Sequence, residues 1–269
     1  MKDEGSLQNE PSSVLPERAS ADTEPESSEQ GPSKAGYADF FARVSHDLRS
    51  PLGIVMHALQ RLEAELGKQL SDEQKVLVKL GARGVRRLQT FVERVGLLSE
   101  LENDELDVNP QPVDLCQLVA RAVEANKAQE PRSDVTVTCE PPSGPCVALA
   151  DSALLTRVVA ELLSNAVAHA RRSVRAGVRN ESDNVTIFVE DDGPGVPESA
   201  RGALYRRFIV RDARGGLGIG LSMAKDLVQV QHGDIRLEAS TLPPGRLETV
   251  GARFVLSLPH VAVATRPER

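Results

Sequence analysis

The chain has 269 residues, 40% of them hydrophobic and 26% charged, with no tryptophan, which at about 150 residues per domain allows one or two globular domains. Its formal net charge of −7 is concentrated at the N-terminus, where residues 1–36 carry eight acidic and three basic side chains, −5 in all, leaving −2 for the rest. That near-neutral remainder excludes a nucleic-acid-binding surface spread over a whole domain. The lack of an apolar run of about 18–20 residues excludes a membrane span, and the polar N-terminus has no signal-peptide core, so a cytoplasmic location is expected.

Residues 1–36 are rich in Ser, Glu and Pro and poor in large apolar side chains; they bury too little surface to offset chain entropy and are expected to be a disordered tail. A helical pattern runs from about Tyr37 to Leu66, with Phe41, Val44, Leu48, Leu52, Val55, Leu59, Leu62 and Leu66 spaced by three or four. Ser71 and Gln74 form a capping box for a second helix, whose stripe is Leu77, Leu80, Gly84, Leu88, Phe91, Val95 and Leu98. Together, residues 37–106 predict a helical hairpin. Each helix shows a narrow apolar seam that an isolated hairpin buries poorly, so two hairpins pairing into a dimeric four-helix bundle is the expected solution.

Residues 107–112 read as a linker, and residues 113–262 change pattern. "DLCQLVARAVEANKAQ" is helical, "DVTVTCE" and "CVALAD" are strands, and "SALLTRVVAELLSNAVAHARR" is a long helix capped by Asp151 or Ser152. "NVTIFVEDD" is a strand ending in acids, "GIGLSMAKDLVQVQ" a helix opened by glycines, and "DIRLEAS" and "GARFVLSLP" close as strands. This mixture predicts an α/β sandwich with helices on one face of a sheet, and the whole chain an α+β fold. Residues 263–269 read as a disordered C-terminus. Cys116, Cys139 and Cys146 lack paired or metal-ligand spacing and read as idle thiols in a reducing compartment.

Several weak signals stand in a fixed order. His46 lies two residues from both Val44 and Leu48, turned roughly 200° from the stripe and toward solvent. Glu161, Asn165 and His169 recur four apart on one helix, where Glu161 and Asn165 are placed to hold a hard cation such as Mg2+. "EDDGPGVPE" sets Asp191, Gly193 and Gly195 after a strand, and "RGGLGIGLSMAK" sets Gly216, Gly218 and Gly220 before a helix, an arrangement suited to phosphate. The latter is no dinucleotide fingerprint, because no strand precedes it.

Read together, "SHDLRSPL", "ELLSNAVAHA", "DDGPG", "LYRRF" and "GGLGIGL" resemble the boxes of bacterial two-component sensor histidine kinases, in the family's order and over residues 37–262. The resemblance implies a phosphoacceptor and dimerisation hairpin followed by a catalytic ATP-binding domain of the gyrase/heat-shock/histidine-kinase ATPase type, using ATP and Mg2+. His46 resembles the phosphorylated histidine and Asp47 the acid that orients its ring. Ser50 takes the place of a hydroxyl or amide that supports a phosphatase reaction. Asn165 resembles the Mg2+ ligand, His169 a pocket-lining residue, and Asp191 the acceptor for the adenine amino group. Gly193 and Gly195 resemble the glycines beside the base, and Gly216, Gly218 and Gly220 those along the triphosphate. The implied partners are a response-regulator receiver domain, a second copy of the chain and an upstream sensor protein, without nucleic acid or membrane.

Three departures qualify the resemblance. Glu161 stands where many of these kinases carry Asn, and an acid four residues before the metal Asn is the gyrase-type pattern. Ala168 replaces a lysine that often reaches the phosphates, and the lid segment "IVRDARG" is short. Two competing readings follow: a degenerate kinase that serves as a docking module, and a gyrase-like ATPase or serine kinase.

Overall fold

The computed structural model describes residues 34–129, 134–142, 144–181, 184–207, 218–243 and 250–259. Most of the acidic tail, the "IVRDARG" segment with Gly216, and residues 263–269 lie outside them. Helix α1 (Lys34–Leu66) and helix α2 (Asp72–Glu102) form the hairpin. The capping box at α2 is present in both halves: Gln74 N–H donates to Ser71 Oγ at 3.2 Å and Ser71 N–H to Gln74 Oε1 at 2.9 Å.

The two stripes of α2 divide their work. Val78, Ala82, Val92 and Gly96 are buried, and a Cβ on Gly96 would stand 3.4 Å from Ser45 Cβ of α1. Leu77, Leu80 and Leu88, read from the sequence as the buried seam, are each more than half exposed, as Leu48 and Val55 of α1 nearly are. The two α2 stripes lie about 100° apart around the helix. A hairpin satisfies one face of each helix and leaves the adjacent face apolar and unpartnered, which periodicity alone does not distinguish.

Strand β1 (Gln111–Asp114) pairs antiparallel with β3 (Val147–Ala150), flanking helix α3 (Leu115–Gln129) and strand β2 (Thr136–Cys139). Helix α4 (Ser152–His169), capped by Asp151, leads to β4 (Ser173–Asn180) and β5 (Asn184–Asp191). A short α5 (Glu198–Arg201), helix α6 (Gly220–Gln229), β6 (Asp234–Ala239) and β7 (Ala252–Pro259) complete the order. The main sheet runs β2-β4-β5-β7-β6, with β2 parallel to β4 and the other neighbours antiparallel. Ile187, Val189, Phe254 and Leu256 face Leu155, Val158, Leu162 and Leu227 of the helices in one core. On the opposite face the Phe188 ring lies between the guanidinium groups of Arg253 at 4.2 Å and Arg179 at 5.0 Å.

Two elements escaped the sequence reading. β1 lies partly in the segment read as linker, and β4 begins at Ser173, directly after Arg172, where the helix was expected to end. α4 stops at His169. The junction between hairpin and sheet domain is also packed: Leu97 and Leu98 of α2 belong to the sheet domain's core, Leu101, Leu106 and Val108 pack against it, and Asn109 N–H donates to Asp151 Oδ2 at 3.0 Å. None of the described helices is long and apolar enough to cross a membrane.

Candidate active site

His46 stands on α1 with its side chain 82% exposed, and Asp47 beside it is 81% exposed. Their contact is Nδ1 to Oδ1 at 3.3 Å. Ser45, fully packed against Gly96 of α2, fixes the helix face and so turns His46 outward. Ser50 is exposed one turn later, and α1 continues through Pro51 without interruption.

The two acids of "DDGPG" have different tasks. Asp191, at the end of β5, is 1% exposed. Its Oδ1 accepts from Gly193 N–H at 2.8 Å and from Ala252 N–H at 3.5 Å. Burial pushes its carboxyl above the ordinary value, against those two N–H groups and the charge of His169. Asp192 faces the other way and gathers three successive backbone donors: Arg171 N–H at 2.8 Å, Arg172 N–H at 3.0 Å and Ser173 N–H at 3.1 Å. Burial works against its charge, but these donors outweigh it and hold the carboxyl below the ordinary value. They also explain why α4 ends where it does, since the chain leaving the helix is bonded to Asp192 instead of continuing the helical ladder.

Glycine is required at two points of this corner. A Cβ on Gly193 would collide with the carbonyl of His169 and lie 2.7 Å from Asp191 Oδ1. Gly195 has φ +71° and Gly218 φ +69°, both in the left-handed region. Asp191, Gly193 and the end of α4 at His169 are thus assembled into one corner, with His169 itself exposed.

Glu161 and Asn165, one turn apart on α4, are half-buried. Glu161 is held by a residue that the sequence did not point to. Arg94 of α2 donates from Nε to Oε1 at 2.7 Å and from Nη2 to Oε2 at 2.6 Å, and the two side chains are 20% and 13% exposed. Gly220, the first residue of α6, closes over this pair: a Cβ there would stand 2.6 Å from Glu161 Oε2 and 3.9 Å from Arg94 Nη2. No sequence signal marked Arg94, because its partner is 67 residues away. A second bridge runs alongside, with Arg207 of the "LYRRF" segment bonded to Glu102 of α2 and, at 2.9 Å, to Asp226 of α6. Tyr205 of the same segment lies under Lys225 Nζ at 4.5 Å.

The donor set suits Mg2+ only in the sparse form that ion accepts. Mg2+ keeps several waters and takes one or two protein ligands alongside substrate phosphates, and the Asn165 amide oxygen meets that need. Both Glu161 oxygens are engaged by Arg94. Among the described residues there is no cluster of three or more His, Cys, Asp or Glu that would hold a metal by itself. His46, bonded to Asp47, remains on the hairpin and is not brought into the Asp191 corner.

Two family models match the chain. Residues 37–104 match the His Kinase A (phospho-acceptor) domain, and residues 150–262 match the histidine kinase-, DNA gyrase B-, and HSP90-like ATPase. The sensor-like histidine kinase SenX3 of Mycolicibacterium smegmatis is 29% identical over 243 residues, covering 87% of this chain and 60% of the relative. The SenX3 protein of Mycobacterium tuberculosis strain H37Rv is 30% identical over 252 residues, covering 88% and 58%. The chain therefore spans about three fifths of the length of these relatives. Among solved structures, full-length ShkA in complex with AMPPNP superposes with a TM-score of 0.64 at 23% identity, covering 83% of this chain and 46% of that one. The histidine kinase AdeS of Acinetobacter baumannii gives a TM-score of 0.53 at 20% identity, covering 80% and 98%. At these identities the structural likeness speaks for the fold.

Proposed function

This chain belongs to the two-component sensor histidine kinases, and from that membership we propose that it transfers the γ-phosphoryl group of ATP to His46 and then to an aspartate on the receiver domain of a response regulator. The observation that carries the proposal is the exposed His46–Asp47 pair on a hairpin whose own chain supplies the Asp191–Gly193 corner.

In this reading a proton on His46 Nδ1 is donated to Asp47, which leaves the Nε2 lone pair outward. Nε2 forms a bond to the γ-phosphorus, the bond to the β–γ bridging oxygen breaks, and ADP leaves with that electron pair. Asp191 receives the adenine amino group, Gly193 and Gly195 let the chain pass beside the base, and Gly216, Gly218 and Gly220 lie along the phosphates. His169 lines the pocket. Asn165 would hold Mg2+, which when bound neutralises charge on the phosphates. Ser50 with Asp47 orients a water for the reverse, phosphatase reaction on the regulator. The exposed stripe of Leu77, Leu80 and Leu88 supports homodimerisation through the hairpin. The location is cytoplasmic, with the signal delivered by an upstream sensor.

The test is incubation with γ-labelled ATP. Acid-labile, alkali-stable label is expected on the intact chain and absent from His46→Gln. Label that persists in that variant rejects the assignment of His46.

A further inference from the structure

Glu161 is a carboxylate beside the start of α6, where a Cβ on Gly220 would stand 2.6 Å from its Oε2. With ATP bound as proposed, an acid one turn from Asn165 on α4 is placed to do unwanted chemistry. A free carboxylate takes a proton from a water whose oxygen bonds to the γ-phosphorus, while the bond to the β–γ bridging oxygen breaks and ADP leaves. The net change is hydrolysis of ATP, with no phosphohistidine formed.

The structure shows that carboxylate occupied. Arg94 engages both of its oxygens in a two-pronged fork, a geometry that fixes the plane of the acid as well as its charge. Arg94 comes from the hairpin and Glu161 from the ATP-binding domain, so the fork exists only while the two are docked. The parallel bridge of Arg207 to Glu102 and Asp226 joins the same two parts.

We propose that Arg94 is a positioning residue that keeps Glu161 from activating water, so that ATP bound in the docked arrangement is not hydrolysed. The proposal rests on the reading that ATP binds this pocket. It gives Gly220 a second task, that of leaving room for the ion pair. It also accounts for a gyrase-type acid in a chain that carries a phosphoacceptor histidine.

The experiment uses the full chain carrying His46→Gln, so that phosphohistidine turnover contributes nothing. Phosphate release at saturating Mg-ATP is compared among this parent, Arg94→Met, Arg94→Met with Glu161→Gln, and the exchange Arg94→Glu with Glu161→Arg. Binding of a fluorescent ATP analogue is measured on each. Domain separation is followed without nucleotide by spin-label distances between α2 and α4. Removing Arg94 is expected to raise hydrolysis by about 100-fold, the lower end of what a general base contributes, and adding Glu161→Gln to return it to the parental rate. The exchange is expected to restore the short α2–α4 distance with low hydrolysis, and the slow Arg94→Met, Glu161→Gln variant, whose two parts remain apart, is the outcome that a purely structural ion pair would not predict. Arg94→Lys, which keeps the charge and loses the fork, is expected to be intermediate and serves if the methionine variant does not fold. Normal nucleotide binding with an unchanged hydrolysis rate in both Arg94 variants overturns the proposal, as does a raised rate that survives Glu161→Gln. A parent that binds no nucleotide overturns the ATP reading itself, and the proposal with it.

Discussion

Asp192 offers a stability test that does not depend on the chemistry. It accepts three consecutive backbone N–H groups, from Arg171, Arg172 and Ser173, at 2.8 to 3.1 Å. Asp192→Asn can keep an oxygen at the Oδ1 position that all three N–H groups share, but it removes the negative charge and sets an amide NH2 against Arg172 N–H where Oδ2 stood. A hydrogen bond to a charged group contributes about 1.5–3 kcal/mol; the bonds share one acceptor and the site is partly exposed, so a total near the low end is expected, about 2 kcal/mol. With a urea slope of about 2 kcal/mol/M, the midpoint should fall by about 1 M at pH 7.

The sign of the pH dependence follows from the direction of the shift. The folded carboxyl sits below its ordinary value, so its contribution is present above the unfolded pKa, about 4, and is lost as pH falls through the folded one. The gap between the two proteins should be full at pH 6–7 and narrow below about pH 4. Urea titrations followed by far-UV circular dichroism at a series of pH values would measure it. A midpoint unchanged within error at pH 7, or a gap that does not depend on pH, would refute the reasoning.

Three further outcomes are expected. Leu77→Glu with Leu80→Glu should convert the chain from dimer to monomer in sedimentation with helicity retained, whereas Val78→Glu, on the face turned to α1, should cost helicity as well. Gly177→Ala would place a Cβ 2.7 Å from the Phe188 ring and 2.9 Å from Glu140 Cβ, and overpacking of this kind should lower stability by about 1–3 kcal/mol in thermal denaturation. Pro51→Ala returns a donor to the carbonyl of Asp47; the expected result is a stiffer α1 with slower autophosphorylation and transfer, and unchanged rates for both would reject a flexing role for Pro51.

The fold was legible wherever a local signal sufficed. The Ser71–Gln74 box, the Asp151 cap and the strands after Thr136 and Asn184 are set by residues within a few positions of one another. β4 was not, because Arg175 and Arg179 alternate with Val174, Ala176 and Val178 on a strand whose outer face is charged, and the apolar signal is thin. Periodicity on α2 picks out the stripe of Leu77, Leu80 and Leu88 and passes over the one of Val78, Ala82, Val92 and Gly96 that packs against α1, because it reports an apolar face and not what covers it. At the candidate site, the short-range order of Asp191, Gly193 and Gly195 at the end of β5 was readable from spacing. The roles of Asp192 and Arg94 were not, since they come from backbone and side-chain partners brought close only by the folded chain.

The junction at the end of α2 has a mechanical consequence. Six residues of slack chain would span up to about 20 Å and would let the ATP-binding domain wander like a weight on a string. Instead Leu97, Leu98, Leu106 and Val108 are embedded in that domain or packed on it, and the string has become an axle. In this arrangement a rotation of α2 about its own axis carries the domain with it. In the kinase proposed above, what the far end of the hairpin delivers would be read at the nucleotide as an angle of presentation, with no length of tether to be paid out.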